Sequence, residues 1–486
     1  MDPQFAFSLD LPPSNSRKLL RVLHDQLRAA ILDGRLKPGL RLPTTRAFAA
    51  CYGVSRNTAV AVYELLLSEG YLATRRKAGT FVALVLPGSA ARAATWDSDR
   101  SGDIRLNTPW RQAPLLSCVP TKVEVRHDFR FGIPDHRFFR GDIWHRLSGR
   151  ALRALSSAPA VYCDARGRPA LRDAIARHVA FTRAVACQPD DVVMTAGAQQ
   201  AFDLLARILV TPGYTVVAVE DPGYPAIRAA FAMAGARIER VPVDEEGLIV
   251  ERLPADARVI CVTPSHQFPL GTAMSARRRA ELLEFARLHG AAIVEDDYDG
   301  EFRFDGRPLD ALQTLDRSES VFYVGTFSKS LFPALRMGFV VPPQWAHAAL
   351  VVARQYAEYH PAVLPQDTLA AFIAEGHLMR HVWKMREIYG RRRRVLLESL
   401  QFEFGERLQP IATQAGLHIS AFAHVVGEDI GNVVHRAREA GTCVEWLGAY
   451  SQEPTVQRGM GFGFGGVNEE GIVAGLAALR KLWPDA

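Results

Sequence analysis

Lys329 stands in Val321-Phe-Tyr-Val-Gly-Thr-Phe-Ser-Lys-Ser-Leu-Phe-Pro-Ala-Leu-Arg336, where an apolar run delivers a single amine into a turn of small residues. Val321 to Val324 are β-branched or aromatic and read as a buried strand, which Gly325-Thr326-Phe327-Ser328 breaks with two hydroxyls beside the amine. Burial disfavours an ammonium and lowers its pKa, so a lysine placed there can act as a free amine and condense with an aldehyde to a Schiff base. Arg336, further along the same stretch, offers the planar fork that suits a phosphate. A surface lysine at a strand end is the competing reading of this motif taken alone.

Other reactive groups fall where strands end. Residues 192–194, 216–219, 259–262, 293–294 and 321–324 are short buried-strand candidates, and helical runs such as 199–209 and 275–289 lie between them. That alternation, which begins at Asp128, implies an α/β domain with a largely parallel sheet whose ligands gather at the carboxyl ends of the strands. Behind the first strand, Thr195-Ala-Gly-Ala198-Gln199-Gln200 opens a helix and offers unpaired N–H groups to an anion. The second strand is followed by Glu220-Asp-Pro-Gly-Tyr224, whose ring can stack on a flat heterocycle. Thr263-Pro-Ser-His266-Gln-Phe-Pro-Leu-Gly271 follows the third. The fourth ends in Glu295-Asp296-Asp297-Tyr298, where a carboxylate can pair with a protonated ring nitrogen and keep it cationic. Each has an ordinary alternative: a turn that only connects, a half-buried surface tyrosine, acidic residues that cap a helix. Together they are what a protein must supply to hold pyridoxal 5′-phosphate.

The elements that position these groups sit in a chain of 486 residues, too long for one ordinary core, so two or three domains are expected. Its 48% apolar and 23% charged residues match a soluble globular protein, and no uncharged apolar run reaches the roughly 18 residues of a membrane span. Met1-Asp-Pro-Gln lacks the basic and apolar regions of a secretion signal, so a cytoplasmic location is expected. Six cysteines without C-x-x-C spacing argue against a disulfide framework and against a zinc site. The net charge of +6 is localised: residues 1–90 hold 12 Lys and Arg against 6 Asp and Glu, leaving 46 of each sign in the remainder. A basic end on a neutral body points to a polyanionic partner for that end.

Residues 17–33 place Leu20, Leu23, Leu27, Ala30 and Ile31 at helical spacing. After a turn-rich connection, Thr44 or Thr45 can cap a short helix carrying Arg46 and ending near Cys51, and Ser55 can cap a second helix ending at Gly70. Arg56, Asn57 and Thr58 then occupy the first turn of a recognition helix, where base edges and phosphates are met in the major groove. Residues 71–82 read as two short strands whose tip carries Arg75, Arg76 and Lys77, a basic wing. A small helical cap with merely solvated charges is the alternative. Gly34-Arg-Leu-Lys-Pro-Gly39, Leu42-Pro-Thr-Thr-Arg46, Val54-Ser-Arg-Asn-Thr58 and Ala78-Gly-Thr-Phe-Val82 make residues 17–83 resemble the winged helix-turn-helix of the GntR superfamily, which implies double-stranded operator DNA as partner. Residues 84–127, rich in proline and without periodicity, read as a linker.

Residues 128–484 resemble the fold type I, aspartate-aminotransferase-like enzymes, and the whole chain resembles the MocR/GabR-type regulators. The resemblance implies a winged helix-turn-helix domain over 1–83, a linker over 84–127, and an effector and dimerisation domain over 128–486. The last should have a mostly parallel central sheet and a smaller C-terminal α/β subdomain. It makes Lys329 the internal aldimine, Asp296 the partner of the pyridinium nitrogen and Tyr298 a hydrogen-bond donor to the phenolic oxygen. Tyr224 would stack, Ala198, Gln199, Ser328 and Arg336 would hold the phosphate, and Tyr162 would reach that phosphate from the other subunit of a homodimer. Two departures stand out. Phe268 replaces the usual asparagine, which leaves His266 or Gln267 to contact the cofactor oxygen, and the substrate-carboxylate arginine is missing near Gly461, with Arg458 close in sequence. Ala226 likewise stands where some relatives carry a second carboxylate-binding arginine, with Arg228 as a substitute. These departures speak against a standard α-amino acid and for an amine or the cofactor itself; the effector expected at the Lys329 aldimine is a small amine, an amino acid or pyridoxal phosphate. The competing readings are an active aminotransferase with an autoregulatory DNA-binding appendage and a cofactor-free dimerisation scaffold.

Overall fold

The structure is a computed structural model that describes residues 9–12, 18–75, 78–84, 105, 107–111, 124–304, 309–424, 429–451 and 456–483. The chain divides into two compact units, Met1–Asp103 and Ile104–Ala486.

In the first unit the helix Leu19–Leu32 buries Leu19, Leu23, Leu27, Ala30 and Ile31. Its apolar stripe starts at Leu19; Leu20, expected on that face, is exposed. Helices Thr45–Tyr52 and Arg56–Ser68 follow. Thr44 accepts from the Ala47 N–H, Gly53 ends the first of these helices in the left-handed region at φ 66°, and Ser55 accepts from the Thr58 N–H to start the second. These caps satisfy backbone donors that a helix start leaves orphaned, and they set the angle between the two helices. Strands Leu72–Arg75 and Gly79–Val82 pair antiparallel from Leu72↔Val82 to Arg75↔Gly79. Phe48, Val62 and Leu66 join the first helix in one core.

The second unit is built on an eight-stranded sheet. Its spatial order is Val193–Thr195, Gly338–Val341, Val321–Thr326, Ala292–Asp297, Ala257–Val262, Val216–Asp221, Arg237–Asp244, Gly247–Leu248. Pairing is parallel from Val321–Thr326 through to Arg237–Asp244, while Gly338–Val341 is antiparallel to both its neighbours and Gly247–Leu248 is an antiparallel edge. Both faces are covered. Val217, Val219, Val259, Val294 and Val324 pack with Ala201, Phe202 and Leu205 of the helix Ala198–Leu209, whereas Val216, Ala218, Ile260 and Ile293 pack with Leu282 and Ala286 of the helix Ala276–His289. Two-sided burial explains why these strands read as unbroken apolar runs. Arg237–Asp244 does not, because only Val241 on it is buried.

A smaller four-stranded antiparallel sheet, Leu408–Pro410, His418–Ala423, Gly459–Gly463 and Glu445–Trp446, forms the C-terminal part with the helix Glu469–Leu482. The early strand His127–Asp128 pairs with Thr442–Cys443. That pairing carries Phe131 and Gly132, the residues that follow, toward the end of the large sheet. Within the expected linker, Thr108–Arg111 forms a helical turn, and 85–104, 106 and 112–123 lie outside the described residues. Among the described residues no helix is long and apolar enough to cross a membrane.

Candidate functional site

Lys329 follows the strand Val321–Thr326 and is half-buried. Its Nζ donates to the carbonyl O of Gly132 at 2.9 Å. Burial pushes the amine below its ordinary pKa, Arg336 lowers it further, and Asp299 and Asp296 pull the other way. Gly132 has φ 70°, and a Cβ there would lie 2.3 Å from Nζ, so the amine reaches the carbonyl only because no side chain intervenes.

The adjacent strand Ala292–Asp297 ends in three buried carboxylates with three different fates. Glu295 accepts from the N–H groups of Leu312 (2.7 Å) and Gln313 (3.0 Å), capping a short helix, and its pKa is pushed up to about 7 by burial and by Asp297. Asp297 pairs with buried Arg183 at 2.6 Å and accepts from the Tyr323 hydroxyl at 2.7 Å. Asp296, in register with Val324, keeps Oδ1 without a hydrogen-bond partner. Burial first, then Asp297 and Asp299, push its pKa well above the carboxylate range, and Lys329 opposes them. A buried carboxyl with an open oxygen is a poor structural element and a good partner for a protonated heterocycle nitrogen.

Next to it, Tyr298 donates to the His266 carbonyl O at 3.0 Å and lies 2.9 Å from His266 Nδ1, which also meets Asp299 Oδ2 at 2.9 Å. His266 Nε2 is buried without a partner, and a Cβ on Gly416 would sit 1.8 Å from the ring. The histidine is thus clamped between Asp299, Tyr298 and the backbone of Gly416. Gln267 turns away, donating to Pro222 O and Phe268 O and approaching Glu220.

The anion cup forms where the helix Ala198–Leu209 starts. Gly197, its N-cap, has φ 79° and supplies no side-chain cap, which leaves the N–H groups of Ala198 and Gln199 at an open helix start. Arg336 donates to Ala196 O at 2.8 Å, and its guanidinium lies 2.8 Å from where a Gly197 Cβ would be. Ser328 bonds Thr326 through both its N–H and its hydroxyl, so the two hydroxyls beside Lys329 hold each other. Tyr224 is 39% exposed and meets Phe268 edge-on at 5.1 Å. Tyr162 lies apart from this cluster: it is exposed and stacks on Tyr359 at 4.8 Å. Amine, open carboxyl, clamped tyrosine and anion cup suit pyridoxal phosphate, and the orphaned Asp296 oxygen is the feature a free-standing fold does not explain.

Asp299, Gly132 and Glu220 are missed by the sequence reading. Asp299 extends the acidic run 295–297 past Tyr298 and was within reach of it; Gly132 lies far upstream and leaves no local sign. Glu220 accepts from the Thr263 hydroxyl at 2.6 Å, and burial raises its pKa to about 7. The folded chain therefore holds this proton above the ordinary glutamate range, and the stabilisation is complete below about pH 4.3 and lost as pH rises through about 7, roughly 1.4 kcal/mol per pH unit over that window. Glu220→Gln removes that contribution: the drop in melting temperature between pH 5 and pH 8 should be smaller than in wild type, and an unchanged drop would refute it.

In the first unit Arg46, Arg56 and Asn57 are exposed. The Ser55 hydroxyl is engaged as the helix cap and lies 2.8 Å from the hydroxyl of half-buried Thr58. Arg75 is exposed with its guanidinium over the Phe81 ring at 4.9 Å. Arg76 and Lys77 lie outside the described residues.

Fold and site together define an aminotransferase-type, cofactor-binding body with a winged DNA-binding unit. Residues 146–420 match aminotransferase class I and II, and residues 20–82 match the gntR family of bacterial regulatory proteins. The probable rhizopine catabolism regulatory protein MocR of Rhizobium meliloti is 37% identical over 467 residues, 95% of this chain and 93% of that protein. The HTH-type transcriptional regulator TauR of Rhodobacter capsulatus is 35% identical over 85% of each chain. Among solved structures, the kynurenine aminotransferase of Pyrococcus horikoshii in complex with PMP matches with a TM-score of 0.68 at 27% identity, over 74% of this chain and 91% of that one. The chain belongs to the MocR-type family of pyridoxal phosphate-dependent, DNA-binding transcriptional regulators.

Proposed function

We propose that the chain acts as a cytoplasmic homodimer that carries its cofactor on Lys329, reads a small amine, an amino acid or pyridoxal phosphate there, and in response changes its hold on double-stranded operator DNA. The observation that carries this reading is the buried, open Asp296 carboxyl on the strand next to the one that delivers the Lys329 amine. When bound, the cofactor supplies an aldehyde that condenses reversibly with primary amines and a ring that withdraws electrons. Asp296 would hold the proton of the ring nitrogen. Lys329, its amine favoured in the neutral form by burial, would be the nucleophile. Tyr298 would donate to the ring oxygen, with His266 and Asp299 fixing its direction, and Tyr224 would cover the ring. Ala198 and Gln199 N–H groups, Ser328 and Arg336 would hold the phosphate.

Tyr162 supports a second copy of the chain. It is 76% exposed next to exposed Val161 and stacks on exposed Tyr359, an apolar surface that a partner would cover while Tyr162 reached the partner's phosphate cup. The domain limits 1–83, 84–127 and 128–486 fit this division of labour. An effector shifts DNA binding only through its different affinity for two arrangements of the dimer, so completed transamination is not needed.

Arg46, Arg56, Asn57, Thr58 and the wing residues Arg75, Arg76 and Lys77 would meet the DNA, with Ser55 holding the recognition helix in shape. Retardation of a promoter fragment carrying the operator tests this directly. Arg56→Ala and Asn57→Ala should each weaken binding by about tenfold or more at fixed salt, the weight of a base contact, while leaving the cofactor absorbance unchanged. Undiminished affinity in both variants would dismiss the recognition helix assigned here.

A further inference from the structure

An aromatic cluster starts one residue before the carbonyl that holds the Lys329 amine. Phe131 directly precedes Gly132, whose carbonyl holds Nζ. Its ring meets Phe268 edge-on at 5.7 Å and stacks with Tyr450 at 6.1 Å and 23°. Phe268 in turn meets Tyr450 at 5.1 Å and Tyr298 at 6.2 Å, which ties the wall to the tyrosine beside Asp296. Gly461 lies behind Phe131: a Cβ there would be 1.9 Å from the Phe131 ring. The ring thus occupies the space that any longer side chain at 461 would need.

A carboxylate stands at this wall, with Arg130 and Arg438 also in reach of it. Glu445 pairs in register with Gly461, accepts from the Tyr450 hydroxyl at 3.0 Å and faces the Phe131 N–H at 3.5 Å. Aromatic faces also present negative potential. Arg130 forks onto Asp128 at 2.8 and 2.6 Å, Arg458 is exposed on a turn before the strand, and half-buried Arg228 lies on the far side of Tyr224, in a hollow it shares with Glu220 and Ile227. A ligand carboxylate pressed against Phe131 and Tyr450 would be desolvated beside Glu445, with Arg130 already held by Asp128, a cost of several kcal/mol for an unpaired ion in general. An apolar or cationic group would be at home there.

We propose that the effector is a primary amine that bears no carboxylate beside its reacting nitrogen, with an apolar or second cationic group lying against Phe131, Phe268 and Tyr450. This rests on the reading that the cofactor is carried on Lys329. The test uses the full chain loaded with pyridoxal phosphate and three matched pairs: phenethylamine against phenylalanine, putrescine against ornithine, and cadaverine against lysine. Two readouts are followed, the visible absorbance of the bound cofactor and retardation of promoter DNA. In at least one pair the amine should act at about tenfold or more lower concentration than its amino acid, and Phe131→Ala should narrow that gap. Amino acids that act as well as, or better than, their amines in every pair overturn the inference, as does an amino acid response that Arg228→Ala abolishes. Mass measurement after borohydride reduction separates the two levels. Wild type without cofactor on Lys329 overturns the functional reading itself, whereas intact attachment with amino acids preferred overturns this inference alone.

Discussion

Lys329→Ala should abolish covalent retention of the cofactor and the effector-dependent change in DNA binding, while the chain stays folded and still retards operator DNA. The amine makes a single hydrogen bond, to Gly132 O, and sits where burial already disfavours its charge. Truncation therefore leaves one carbonyl for water to satisfy and relieves a desolvation cost, so the stability change should stay within about 1 kcal/mol. The chemical change is complete, because Ser328 and Ser330, the neighbouring hydroxyls, cannot replace an amine in condensation with an aldehyde. Borohydride reduction followed by mass spectrometry should find the cofactor fixed to wild type and absent from the variant. A variant with the same adduct, or with an undiminished effector response, would remove Lys329 from the centre of the mechanism.

The second large effect is expected at Asp296 and has opposite signs in two measurements. Asp296→Asn keeps the shape but cannot carry the negative charge that a protonated ring nitrogen needs. Loss of a buried ion pair of about 3 kcal/mol corresponds to roughly a hundredfold weaker hold on the cofactor. Without cofactor the same change should leave thermal stability unchanged or raised, because it removes a carboxyl that burial and its acidic neighbours Asp297 and Asp299 already penalise. A residue that merely supported the fold would lose stability in both states. Equilibrium dialysis of the cofactor and melting of the cofactor-free protein decide between them.

Five strand ends on one mostly parallel sheet could be found in the sequence, because each buried strand announces itself as an apolar run and strands running the same way end at the same edge of the sheet. Ala198, Tyr224, His266, Asp296 and Lys329 all follow from that rule. The rule itself does not make the choice among Glu295, Asp296 and Asp297, which comes from the family resemblance alone. In the fold the choice depends on Arg183 and on the N–H groups of Leu312 and Gln313, partners that only the folded chain brings near. Arg237–Asp244 escaped because a mostly half-exposed strand carries charges and no continuous apolar run. Gly338–Val341 escaped for a topological reason: it runs against its neighbours, and strand direction leaves no mark in composition. The missing arginine at Gly461 was legible as an absence. That the Phe131 ring fills the gap was not, since that contact links residues from opposite ends of the second unit.

The antiparallel strand has one more consequence. Thr326 and Gly338 are paired across the ladder, so residues 327–337 form an excursion with both ends pinned, and Lys329 and Arg336 ride on it together. Its length cannot drift by a residue. A slip of Gly338–Val341 by one position would exchange Phe339 and Val341, which pack in one core, with Val340, which packs in the other. The sheet therefore pins both ends of the segment that carries the amine and the guanidinium, and on the proposed roles of Lys329 and Arg336 the loop would act as a gauge for molecules that join a reactive carbonyl to an anionic end.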